Sequence, residues 1–238
     1  MENRYTPRVP FEFRMRPKEV ISAIMYLPVH IFLLPTLLAG MMLKGSISEA
    51  DANFLIYGMG VCFVLSSCFA YLRAEFDPLC DHPFYVVFQV IGHYGLMLVM
   101  NFAVNTVLLS IAFTTENPNN AAVFDMAGVE FKKMLVLSVF MAPIVEEVIF
   151  RGAIFGSIRE KSRLAAYLVS VFLFALYHVW GFLAFDWRYI IFIFQYVPIS
   201  YLLCRIYERT SSLWASIFLH MLVNAVSINL MEAIGGLI

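Results

Sequence analysis

The chain has 238 residues, of which 61% are hydrophobic and 14% charged, and a mean hydropathy of +0.80. Soluble domains are nearer half apolar and a quarter charged, and no compact soluble fold of this length could hide so much apolar surface. A net charge of −1 gives no pointer to nucleic acid, and four cysteines (Cys62, Cys68, Cys80, Cys204) without CxxC spacing speak against a disulfide framework or a cysteine metal site. The expected class is an all-α, polytopic transmembrane helix bundle, with residues 1–238 as a single integral membrane domain partnered by the lipid bilayer.

In chain order, residues 1–19 form a basic segment. Its stretch "PRVPFEFRMRPKE" mixes basic and aromatic residues. It either lies along lipid headgroups or is a solvated tail that fixes topology. The run "VISAIMYLPVHIFLLPTLLAGMML" follows it as a signal peptide would, but is too long for an h-region and reads as a retained span. A span needs about 20 mostly apolar residues. Seven candidates satisfy this, at about 20–43, 53–72, 85–113, 133–157, 164–183, 188–206 and 213–234. The third is long enough to tilt or to carry an interfacial first turn at "PFYVVF". "TTENPNNAAVFDMAG" is the main polar loop, rich in turn formers. Trp180, Trp187, Trp214, Tyr177 and Tyr189 fall near span ends, where an aromatic belt explains them. His30 and His93, inside the first and third spans, read as structural.

The positive-inside rule tests the count. With a cytoplasmic N-terminus, the inner segments hold eleven basic residues: Arg4, Arg8, Arg14, Arg16, Lys18, Arg73, Arg159, Lys161, Arg163, Arg205 and Arg209. The outer segments hold four: Lys44, Lys132, Lys133 and Arg188. The bias supports seven helices with the C-terminus outside, with six or eight as the alternatives.

The fourth span contains "IVEEVIFRGAIFG", an apolar run with Glu146, Glu147 and Arg151 inside it. Unpaired, those three charges would cost on the order of 7–10 kcal/mol in a bilayer, comparable with the whole stability of a small protein. They must be paired, solvated by an internal cavity or partly neutral. Glu147 and Arg151 are four apart and share a helix face, so a bidentate carboxylate–guanidinium pair is expected. Glu146 points about 100° away and is the charge left over. Such a carboxylate can act as a base. The other intramembrane polar groups are few. "FALYHVWG" places His178 four residues after Phe174, and "FLHMLVNA" places His220 and Asn224 four apart on one face. A base, two imidazoles and an amide around one cavity suit water activation and oxyanion stabilisation. No serine–histidine pair or cysteine nucleophile stands out, which argues against a covalent enzyme. By span position, however, His178 and His220 fall at different depths from Glu146.

The ordered set EExxxR (Glu146, Glu147, Arg151), FxxxH (Phe174, His178) and HxxxN (His220, Asn224), each in its own apolar span, resembles the CAAX protease and bacteriocin-processing family. This is the Abi or CPBP group, which includes the type II CAAX prenyl endopeptidases. The resemblance covers roughly residues 133–230, the expected catalytic core. It implies an intramembrane endopeptidase acting by glutamate-activated water on a membrane-associated or prenylated protein or peptide. It implies that Glu146 is the general base and that His178 holds and polarises the water. His220 and Asn224 would form the oxyanion hole. Glu147 and Arg151 would orient the motif, with Glu147 a possible second acid or base. Phe174 would pack the site or contact substrate. No cofactor is implied. Glu146, His178 and His220 are also the ligand types of a catalytic zinc site, so a zinc-dependent version is the mechanistic rival. A non-catalytic peptide-binding or bacteriocin-immunity protein is the functional rival. A proton-coupled transporter would call for repeats or broken helices in matching halves, which the sequence lacks. Size and the absence of targeting tails suit a prokaryotic cytoplasmic membrane.

Overall fold

A computed structural model describes residues 10–111 and 116–235. Arg4, Arg8 and the start of the polar loop (residues 114 and 115) lie outside the described residues. The described residues are mostly helical and contain no strand. Seven long helices account for it: α1 Pro17–Leu43, α2 Glu49–Ser67, α3 Pro83–Ile111, α4 over residues 118–159, α5 Arg163–Ala184, α6 Trp187–Thr210 and α7 Leu213–Gly235. Short helices at Phe69–Ala74 and Asp77–Asp81 link α2 to α3.

Polar side chains start several of these helices by satisfying orphan backbone N–H groups. Ser48 and Asp51 form a reciprocal capping box at α2, with Asp51 N donating to Ser48 Oγ at 3.0 Å. Asn117 Oδ1 accepts from Asn119 N at 3.0 Å, and Pro118 occupies the first helical position of α4. This cap corrects the reading of "TTENPNNAAVFDMAG" as a loop, because the helix begins at Pro118 and runs through most of it. Ser162 caps α5. Ser211 closes α6 in the left-handed region, at φ 50°.

Six of the helices are long and apolar enough to cross a membrane. The seventh expected span is α4. It is helical over the whole of 133–157 but carries Glu146, Glu147 and Arg151 within it, so composition alone does not place it in that class. Its position explains its sequence. Every residue from 145 to 156 is buried, so α4 is apolar all round because it has protein all round. The outer helices instead present Phe32, Leu65, Phe88 and Phe172 outward, as lipid-facing surfaces do. The chain is a multi-pass membrane protein.

Helix α4 is not a plain α-helix. Residues Leu137–Met141 and Val148–Gly156 are wound as π-helix, on either side of the α-helical Ala142–Glu147 turn that carries both glutamates. Such wider turns shift the facing of the side chains that follow and recur at functional sites.

Candidate active site

Glu146 and Glu147 are adjacent on α4 but face different partners. Glu147 is fully buried and saturated. Its Oε1 accepts from Arg151 Nη1 at 3.1 Å and from His220 Nδ1 at 2.9 Å, and its Oε2 accepts from Ser216 Oγ at 2.6 Å. Arg151, also fully buried, uses its second amino group elsewhere: Nη2 donates to Ser200 Oγ at 3.0 Å and to the Ser200 carbonyl at 3.3 Å. The expected bidentate pair is therefore a single contact, because the guanidinium fork spans from α4 to α6 instead of closing on one carboxylate. The Phe174 ring lies under the guanidinium, 4.1 Å from centroid to Cζ, and edge-on to Phe150 and His220. A cation over an aromatic face is attracted by the ring quadrupole.

Glu146 has its two oxygens in different surroundings. Oε1 accepts from Tyr57 Oη at 2.8 Å. Oε2 is buried and has no hydrogen-bond partner in the protein. It faces His178 Nε2 and His220 Nε2, each at 3.9 Å. These distances are too long for direct hydrogen bonds. The difference in depth expected from the span positions is absent, since both histidines reach the same carboxylate oxygen.

The histidine orientations follow from their other nitrogens. His178 Nδ1 lies 2.8 Å from the Phe174 carbonyl, and His220 Nδ1 lies against the Glu147 carboxylate. Both partners can only accept, so both Nδ1 atoms carry hydrogen. His178 is further fixed by stacking on Tyr196 at 4.4 Å. Asn224 lies one turn beyond His220 and donates one amide hydrogen to the Ser138 carbonyl at 2.8 Å, leaving the other free to donate. Glu146, His178, His220, Asn224 and Phe174 all border one cleft of about 630 Å³. Asn119, Asn120, Gln195 and Tyr196 line another part of it.

The structure thus brings together the residues singled out in three separate helices. Three further residues of the site, Tyr57, Ser200 and Ser216, are not singled out by the sequence, and Tyr177 has another place than the one expected. Ser216 could have been found, because it lies four residues before His220 on the same helix face. Tyr177 is not part of an aromatic belt. Its hydroxyl instead meets Tyr57 Oη at 2.7 Å and His30 Nε2 at 3.2 Å. Tyr57 and Ser200 carried no signal, being single polar groups whose partners lie on other helices. As for zinc, the described residues contain no group of three His, Cys, Asp or Glu side chains placed to hold an ion, and one oxygen of Glu146 is taken by Tyr57.

Residues 129–226 match the family model described as type II CAAX prenyl endopeptidase Rce1-like. Over those residues the resemblance read from the three motifs holds. Among curated proteins, the chain is 30% identical over 110 residues to "Putative membrane peptidase YdiL" of Bacillus subtilis (strain 168), covering 46% of this chain and 41% of that protein. It is 26% identical over 139 residues to "UPF0177 protein YxdF" of Lactococcus lactis subsp. lactis (strain IL1403), covering 58% of this chain and 73% of that protein. No solved structure matches the chain.

Proposed function

We propose that this chain, whose residues 129–226 match the Rce1-like prenyl endopeptidases, is a membrane protease that cleaves a peptide bond with a water activated by Glu146. The observation that carries the reading is Glu146 Oε2. It is buried, unpartnered within the protein and faced by two imidazole nitrogens at equal distance. Polar atoms separated by more than 3.5 Å are commonly bridged by water. A water seated among these three is the nucleophile of the proposed reaction.

Proton counting assigns the roles. With hydrogen on both Nδ1 atoms, neutral His178 and His220 each turn a bare Nε2 toward Glu146. One water has two hydrogens for three acceptors, so one of the three carries a proton. His220 is the natural holder, because anionic Glu147 on its Nδ1 stabilises an imidazolium, as the buried aspartate of a hydrolytic triad does. His220 then donates from Nε2 and, with the free amide hydrogen of Asn224, stabilises the oxyanion. His178 accepts from the water and orients it. Glu146 takes the proton as the water attacks, and returns it to the leaving amine. Arg151 and Phe174 keep Glu147 ionised and in place. No metal enters this sequence.

The substrate of this reading is a peptide bond in a membrane-associated or lipidated protein. Two assays test it. Purified protein in detergent is given a farnesylated peptide ending in a CAAX tetrapeptide and its unprenylated counterpart. In parallel, new protein termini are mapped in membranes of cells making the native chain or Glu146→Gln. Cleavage that disappears in Glu146→Gln is expected. Equal termini in both cells and no peptide cleavage would favour a peptide-binding protein that keeps the cleft without the chemistry. Cleavage that persists in 1,10-phenanthroline is expected, and its loss with restoration by zinc would establish the metal-dependent rival.

A further inference from the structure

Tyr57 lies on α2, outside the segment matched by the family model, yet it touches the proposed base. Gly60, one turn further along α2, makes this possible. A Cβ there would sit 2.9 Å from Val145 Cγ2, so only glycine lets α2 approach α4 so closely. The contact continues away from the cleft. Tyr57 Oη meets Tyr177 Oη at 2.7 Å, and Tyr177 Oη meets His30 Nε2 at 3.2 Å.

The direction of every hydrogen in this chain is fixed by counting. A phenol has one hydrogen, and a carboxylate oxygen can only accept. Tyr57 therefore donates to Glu146 Oε1. Its oxygen then accepts the one hydrogen of Tyr177, whose own oxygen accepts from His30 Nε2–H. His30 Nδ1 is buried without a partner. As the bare nitrogen of that tautomer it leaves no N–H orphaned. Three donors from α1, α5 and α2 are thus aligned in series toward one oxygen of Glu146.

We infer that Tyr57 is a positioning residue, held by Tyr177 and His30 so that it ties down Glu146 Oε1 and leaves Oε2 as the oxygen presented to His178 and His220. Without this contact the carboxylate could turn about its last bond and exchange its two oxygens. The bland alternative is that Tyr57 only fills space beside a buried carboxylate. The role in turnover rests on the protease reading above; the orientation of the carboxylate does not.

The test is Tyr57→Phe in the full chain, which keeps the ring and its edge contact with His30 at 4.8 Å. The first readout needs no substrate. The infrared difference between a protein and its Glu146→Gln counterpart isolates the Glu146 carboxylate stretches. We expect these bands to shift in the Tyr57→Phe background, because one oxygen has lost its donor. Unshifted bands would overturn the inference. The second readout is hydrolysis of the farnesylated peptide. Losing a hydrogen bond to a charged group corresponds to about a 10–100-fold fall in kcat, with KM within about twofold. Shifted bands with unchanged kcat would leave Tyr57 a packing residue and overturn its positioning role. Shifted bands in a protein whose native form cleaves nothing would sink the protease reading and keep the carboxylate orientation. If Tyr57→Phe does not accumulate in membranes, Tyr177→Phe decides. It frees the Tyr57 hydroxyl to rotate, and should broaden the same bands and lower kcat to a lesser degree.

Discussion

Arg151 is the largest fully buried side chain among the described residues. It is bound to Glu147, to Ser200 and to the Phe174 ring, so its removal takes the permanent cation away from the buried Glu147 carboxylate, leaving it only His220 and Ser216. Breaking one side of a buried pair costs about 3–5 kcal/mol, while removing both partners costs much less. Arg151→Ala should therefore lower the unfolding temperature in detergent by several degrees. Arg151→Ala with Glu147→Ala should recover part of that loss, in spite of carrying two changes. Equal losses that simply add would contradict the pairing. Asn224 poses a different case. It is half-buried at the cleft and spends one amide hydrogen on Ser138. As an oxyanion donor its replacement by alanine should lower kcat by about 10²–10³ with little change in KM. A near-normal rate with the farnesylated peptide would remove it from the oxyanion site.

At the scale of elements, the non-helical entry to α1, residues 10–16, is strapped across one end of the bundle. Glu12 N donates to Ser211 Oγ at 2.9 Å, Arg14 Nη1 donates to the Ser211 carbonyl at 2.8 Å, and Phe11 packs edge-on to Tyr207 at 5.1 Å. Beneath it Glu75, between α2 and α3, is buried. Its Oε2 accepts from Leu213 N at 2.7 Å and its Oε1 faces Arg14 at 3.5 Å. Burial pushes its carboxyl up to about 7, against the pull of Leu213 N–H and Arg14. The ordinary value is 4.5. The folded chain therefore holds a proton that the unfolded chain releases between those values. That stabilisation is full below about 4.5 and is lost as pH rises through about 7. Glu75→Gln keeps an acceptor for Leu213 N–H, and should flatten the fall in unfolding temperature across this window; an unchanged slope would assign it to other groups. None of this strap was legible in the sequence, where residues 1–19 offered only a basic, aromatic composition. The long helices were legible because apolar runs of about 20 residues have one economical use. The motif side chains were legible because charges in such runs are rare and because i, i+4 spacing puts them on one face. What could not be read were contacts between helices. A lone Tyr57 or Ser200 has the same appearance whether it meets lipid headgroups or a carboxylate, and π-turns in α4 leave no simple mark on its periodicity.

For the whole molecule, α4 is expected to cross the membrane with the six apolar helices. Helix α4 is kinked at Glu130, and the contacts at the two ends of the segment that follows speak for a crossing. Just past the kink, Lys133 binds Asp51 at 2.5 Å and also Glu130, which accepts from Ser48 Oγ at 2.7 Å, so this end of the segment sits beside the α1–α2 turn. At its finish, Arg159 and Arg163 both bind Glu208 of α6, and the Arg159 guanidinium covers Phe11 of the N-terminal strap. These are opposite ends of α1, so α4 runs from one end of the bundle to the other. The basic residues sort the same way, with Arg14, Arg16, Arg73, Arg159, Arg163 and Arg209 gathered at the strap end. Seven crossings then place Cys80 and Lys161 on the cytoplasmic side and Ser46 outside. Cys80, Lys161 and Ser46 are exposed, and each can report its side as a cysteine. A membrane-impermeant maleimide should label Ser46→Cys, in a Cys80→Ser background, in intact cells. Native Cys80 and Lys161→Cys in the same background should be labelled only after the membrane is opened. If α4 did not cross, Lys161→Cys would share the side of Ser46→Cys, and every span after it would invert. The three charges would then lie in a helix that never traverses lipid, and the need to bury them around a cleft, from which the whole reading of Glu146 began, would disappear.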